Sequence, residues 1–184
     1  MRRPVHALPL VCALTIAALS LAARPAAAQA PSAPATLQAS LAADVDNLST
    51  KFAGLARVMA GKYDWKPGTG VRSVGDVLNL IVQENRMLVT VLTGAPAATG
   101  PQPAPITDAA QMQSALTSSA ASAKQAIAGL SAADLATSVK LFGRDMTKQA
   151  AVLLLLMDQH EHLGQSIAYA RTNNVVPPWS LPKQ

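Results

Sequence analysis

Apolar residues return every three or four positions between Thr36 and about Gly61, at Leu37, Leu41, Val45, Leu48, Phe52, Leu55, Val58 and Met59. Steps of that size keep one face of an α-helix apolar, so the segment reads as an amphipathic helix. Lys62 to Arg72 interrupts it, with Pro67, Gly68 and Gly70 as turn formers. Ser73 then caps a second helix, with Asp76 in the acidic place of a capping box. That helix runs through Val77, Leu78, Leu80, Ile81, Leu88 and Leu92 and ends at Gly94. A Pro/Gly/Ala loop over 95–105 follows. Thr107 or Asp108 caps a third, Ala/Ser-rich helix reaching about Gly129. Residues 131–145 read as a short helical turn and then an extended stretch over 139–142. The last helix, Met146 to about Asn173, is the most hydrophobic segment of the four, and Asn174 with Pro177 and Pro178 stops it. Each amphipathic face needs a partner, and no series of strands suggests a sheet. The expected fold is therefore all-α, a four-helix bundle.

The N-terminus follows another pattern. Met1, Arg2 and Arg3 precede an apolar run from Leu8 to Ala23, and Ala26, Ala27 and Ala28 offer small residues to a peptidase. These are the parts of a secretory signal, with cleavage expected after Ala28. Cleavage after Ala30 is disfavoured because Pro31 would follow. A transmembrane anchor fits less well, since the run is short and stops at Arg24 and Pro25. The chain then divides into a signal peptide (1–28), a Pro/Ala-rich lead-in (29–35) and a helical domain (36–184). The expected location is periplasmic or secreted, without membrane attachment once the signal is removed.

Composition alters this picture in two places. Of 184 residues, 50% are hydrophobic but only 3% are aromatic, because Ala supplies 37 of them. The formal charge of +5 falls to +2 when Arg2, Arg3 and Arg24 leave with the signal. No basic run remains, which excludes an electrostatic nucleic-acid footprint. Cys12, the single cysteine, leaves as well. Disulfides, thiol nucleophiles and cysteine metal ligands are thereby excluded from the processed chain.

Only His160 and His162 then remain as histidines, both on the last helix. Two positions apart is about 200° around a helix, so the pair cannot chelate from one face. Asp158 and His162, four apart, do share a face, on a stripe that continues to Gln165 and Tyr169. Acid, imidazole and amide in a row are costly to bury unless paired or metal-bound. The plainer alternative is that they face solvent or an inter-helix hydrogen-bond network. Glu84 interrupts the apolar stripe of the second helix. It either turns to solvent at the stripe's edge or supplies a third ligand beside Asp158 and His162.

Two separated segments resemble the DinB-like proteins. The first is YDWKPGTGVR followed by SVGDVLNLIVQENRML (63–88), where a Trp/Lys-Pro turn, a Gly and an Arg-Ser step lead into the second helix. The second is DQHEHLGQSIAYARTNNVVPPWS (158–180), with its His-Leu-Gly-Gln step, Tyr-x-Arg and closing Val-Pro-Pro. The resemblance implies an up-down-down-up bundle, often dimeric, that in many members holds a divalent metal on three histidines. One comes from the second helix and two from an H-x-x-x-H pair on the last. Carried over by position, the last falls on His162, its partner on Asp158, and the second-helix histidine on Leu80. This departure implies a degenerate site. The chain is then a non-catalytic or pseudo-enzyme member, binding a small apolar ligand or a partner and holding no metal or only a weakly bound Zn, Ni or Mn. The alternative is a divalent-metal-dependent transferase or hydrolase with a site remodelled on Asp158, His162 and Glu84. Gly164 is expected to permit close helix approach, Gln165 to bond across the bundle, Tyr169 and Arg171 to secure the tail, and Trp65 to staple the first loop. The tetraleucine 153–156 is expected in the core or at a dimer interface.

Overall fold

Side-chain caps from the sequence start every long helix. The computed structural model describes residues 35–96 and 100–180. The expected signal peptide, Cys12 and all of the lead-in but Ala35 lie outside the described residues. Helix α1 (Leu37–Val58) opens where the Thr36 hydroxyl accepts from the Ala39 amide. Helix α2 (Val74–Thr93) opens on a full capping box: Ser73 Oγ accepts from the Asp76 amide, and Asp76 accepts from the Ser73 amide at 2.9 Å. Asp108, rather than Thr107, caps α3 (Ala109–Ala128). Each cap satisfies a donor that the helix itself leaves free and contributes about 1 kcal/mol. Gly94 closes α2 in the left-handed region, at φ 71°, where it carries no Cβ penalty.

The stretch after α3 has the expected helical turn and extended segment, but the extended segment pairs with a second strand. A one-turn helix α4 (Ala132–Leu135) leads into an antiparallel hairpin of β1 (Ser138–Leu141) and β2 (Arg144–Thr147). Phe142 and Gly143 form its two-residue turn, both with positive φ, the pairing that matches the twist of flanking strands. Met146, expected to begin the last helix, lies in β2 instead. Thr147 caps α5 (Lys148–Thr172), its hydroxyl accepting from the Ala150 amide. The fold is thus helical with one small two-stranded sheet among the described residues.

Helix α1 packs on α3 and α5, and α2 packs on the same two. Their shared core includes Leu48, Phe52 and Leu55 of α1, Leu78, Ile81 and Leu88 of α2, Met112 and Leu116 of α3, and Leu155 of α5. Each such side chain contributes roughly 1.5–3 kcal/mol on burial. Within the tetraleucine, Leu155 and Leu156 enter this core while Leu153 is exposed. A polar link crosses the apolar interior. Buried Gln159 of α5 donates to Asn85 of α2 at 3.1 Å, and Asn85 donates to Ser119 of α3 at 3.2 Å. Three helices are thereby fixed in register, because a slip would strand buried amides without partners.

The loop between α1 and α2 is pinned at both ends. Gly75 donates to the Tyr63 carbonyl at 2.8 Å, and a Cβ on Gly75 would lie 3.1 Å from that of Tyr63. Trp65 sits edge-on against Tyr169 of α5, ring centres 5.2 Å apart. Gly164 does not serve close packing as expected: it is exposed, and nothing lies within 4 Å of where its Cβ would be. The tail returns to α1 in a 3-10 turn at Pro178–Ser180, with Pro178 against Gly54 and Lys51 over the Trp179 ring. No described helix is long and apolar enough to cross a membrane.

Candidate metal centre

The periodicity that builds the α2 core also carries Glu84 inward. It lies one turn after Leu80 and one turn before Leu88, on the face that meets α5, and is only 4% exposed. The solvent-facing alternative for Glu84 is thereby overturned. Its Oε2 is the one buried side-chain oxygen or nitrogen without a hydrogen-bond partner among the described residues. Opposite it, Asp158 and His162 rise from adjacent turns of α5. One ligand atom from each of Glu84, Asp158 and His162 lies within 4.8 Å of the others. All three candidate residues therefore converge. Leu80, half-buried one turn away, takes no part.

His160 does not join them. It points to α1 and pairs with Asp44 at 2.8 Å on the exposed side of the helix, as the 200° separation demands.

Electrostatics in the cluster are unbalanced. Burial, and then the adjoining carboxylate of Asp158, push the Glu84 carboxyl up to about 9, against the opposing pull of Arg72 and the Gln159 amide. Two carboxyl groups and an imidazole at this range need a cation among them, either a proton or a metal ion.

Hydrogen-bond direction fixes which histidine nitrogen faces the cluster. The Arg72 carbonyl can only accept, so Tyr169 O–H donates to it at 3.1 Å. The phenol oxygen then accepts from the Gln165 amide nitrogen at 2.7 Å. That leaves Gln165 Oε1 toward His162 Nδ1 at 2.9 Å, and an amide oxygen can only accept. Nδ1 therefore carries a proton, and Nε2 faces the cluster, 3.6 Å from Asp158 Oδ2. A metal-binding histidine is oriented in this way, its second nitrogen held by an outer partner. Gln165 thus bonds along its own helix, and Tyr169 secures the first loop rather than the tail. These roles went unread in the sequence, although Gln165 and Tyr169 follow His162 at helical steps on the same stripe.

The donor set fits a divalent metal: two carboxylate oxygens and one imidazole nitrogen suit Zn, Mn or Ni. The orphaned Glu84 oxygen has a lone pair free to donate to one.

The model of the DinB superfamily matches residues 52–166, a span holding all three converging side chains. The chain belongs to the DinB superfamily. Its fold is similar to two crystal structures of DinB-like proteins. The Bacillus cereus protein has a TM-score of 0.63 at 18% identity, covering 75% of this chain and 93% of that one. The Bacillus subtilis protein has a TM-score of 0.60 at 14% identity, covering 78% of this chain and 96% of that one. At such identities the likeness is one of fold. No curated protein matches the chain. A carboxylate one turn along α2 stands near the place where the resemblance put Leu80, and Asp158 stands for the first histidine of the pair.

Proposed function

We propose that this DinB-superfamily protein is exported and binds one divalent transition-metal ion on Glu84, Asp158 and His162. The observation that carries the reading is Glu84, a carboxyl buried to 4% exposure with an unpartnered oxygen beside two further donor groups. Such a group is expensive to maintain in a core without a cation to meet it. Bound there, the ion supplies Lewis acidity or lowers the pKa of a coordinated water, the chemistry of a hydrolase or transferase. The chain's own part is to orient the His162 ring through Gln165 and to keep the Glu84 carboxyl out of bulk water. The export signal argues against transfer of cytosolic thiols.

The same reading takes the four long helices as an up-down-down-up bundle. Supporting it, Gln38 at the start of α1 reaches Leu130 beyond the end of α3, whereas Asn79 near the start of α2 bonds Ile106 just ahead of α3. Arg72 before α2 meets Tyr169 late in α5, and Asp44 and Gly54 of α1 meet His160 and Pro178 in the same order. A homodimer using the exposed Leu153 and Met157 of α5 belongs to this proposal.

Elemental mass spectrometry tests it on protein expressed with its own signal and purified without chelator or His-tag. About one equivalent of a transition metal per chain is expected, and His162→Ala is expected to lose it. Metal-free protein that Zn, Ni and Mn all fail to stabilise would overturn the reading. The second reading, a non-catalytic bundle for a small apolar ligand or a partner, would then stand. It is favoured by Leu80 at the place of a family ligand.

A further inference from the structure

A solvent-open cavity of about 570 Å³ lies between the end of the first loop and α5, linked to the candidate metal centre through Gln165. Its wall is made by Gly70, Val71, Arg72, Asp76 and Gln165. Gln165 belongs to both places, because its amide oxygen holds His162 while its side chain lines the cavity. The volume lies in the range of small-molecule pockets, and the lining is mainly polar.

The two charged residues of the wall are not equivalent. Asp76 is committed to the capping box of α2, accepting from the Ser73 amide at 2.9 Å. Arg72 forms no ion pair with any described carboxylate. Its backbone, by contrast, is held: the carbonyl accepts from Tyr169, which is wedged against Trp65. The arginine is therefore an exposed, unpaired cation on an anchored backbone, and its positive field extends to Glu84 as well as Asp76. A guanidinium presents a planar fork of donors matched to a carboxylate.

We propose that this cavity is a substrate subsite for a small carboxylate, whose carboxyl group pairs with Arg72 and is flanked by the Gln165 amide. The remainder of such a molecule extends toward Glu84, Asp158 and His162. The proposal rests on the metal-site reading for the direction of the substrate, but the pairing with Arg72 does not need a metal. Apolar molecules gain little from this wall, where Val71 is the one aliphatic side chain.

The test uses the full processed chain, freed of metal, with succinate as the probe and neutral succinamide as its control. Nuclear magnetic resonance follows the backbone amides of residues 70–72 and the Arg72 Nε–H. Succinate is expected to give saturable shifts with a Kd of about 1 mM, which corresponds to roughly 4 kcal/mol. Succinamide is expected to give none. Arg72→Gln is expected to weaken succinate about tenfold or more, the loss of one charge-assisted contact, while Arg72→Lys falls between. Thermal melts of both variants check that the fold is intact. Absence of saturable shifts, equal binding of succinamide, or unaltered binding by Arg72→Gln in a folded protein would each overturn the proposal. Repeating the titration after adding Zn separates the two ideas: succinate binding to Arg72 without any Zn uptake overturns the metal reading alone. Zn uptake without succinate binding overturns the subsite alone.

Discussion

Glu84 holds its proton far above the ordinary carboxylic value of 4.5, at about 9, chiefly because it is buried. The folded chain keeps that proton at pH values where the unfolded chain has released it. Stability from this group is therefore fully present below about pH 4.5 and is lost as pH rises toward about 9. For metal-free protein the slope from Glu84 reaches at most about 1.4 kcal/mol per pH unit. Glu84→Gln, which mimics the protonated form, is expected to remove this slope in urea titrations run across that window. A wild-type and a variant with parallel pH profiles would contradict the assignment. Metal uptake runs the other way, since the ion displaces the proton and binds better as pH rises. The sequence offered Glu84 as a candidate because a carboxylate broke an apolar stripe. It could not choose between inward and outward, because the partner helix was unknown. Gln165 was harder still, because an amide's role depends on which of its two ends meets which neighbour.

At the scale of elements, helix ends were the most legible feature. Ser73 with Asp76, and Asp108, are local chemical statements that need no tertiary context. The second strand of the hairpin was illegible for the opposite reason. Arg144, Asp145 and Thr147 of β2 are exposed and only Met146 is half-buried, so the strand shows no alternation to read. Its register is set by the turn at Phe142 and Gly143 instead. The junction of the first loop with α2 depends on one missing side chain. Gly75→Ala would place a methyl 3.1 Å from Tyr63 Cβ and 3.2 Å from the Tyr63 carbonyl oxygen. Tyr63 must then give by a few tenths of an ångström, and because its carbonyl is held by the Gly75 amide the expected outcome is a lower urea midpoint, by about 1 kcal/mol in stability. An unchanged midpoint would mean that the loop is looser than its hydrogen bonds imply. Since that loop ends at Arg72, the variant is also expected to weaken the carboxylate subsite.

For the molecule as a whole, the helical class followed from periodicity, whereas the meeting of Glu84 with Asp158 and His162 followed from which helices pack together. Periodicity gives each helix a buried face without naming its partner. Here α2 against α5 makes the site, and the buried Gln159–Asn85–Ser119 link keeps that pair aligned with α3. One consequence reaches beyond stability. The chain contains two tryptophans, and Trp65 rests on the phenol that ends the hydrogen-bond line from His162. That makes Trp65 an intrinsic fluorophore wired to the imidazole. With Trp179→Phe removing the second emitter, filling the site with Zn is expected to alter Trp65 emission in both intensity and wavelength. An emission spectrum indifferent to Zn, in protein that has taken it up, would show the line to be optically silent. A spectrum that responds would turn this single-tryptophan protein into its own gauge of occupancy, readable in a cuvette without any label.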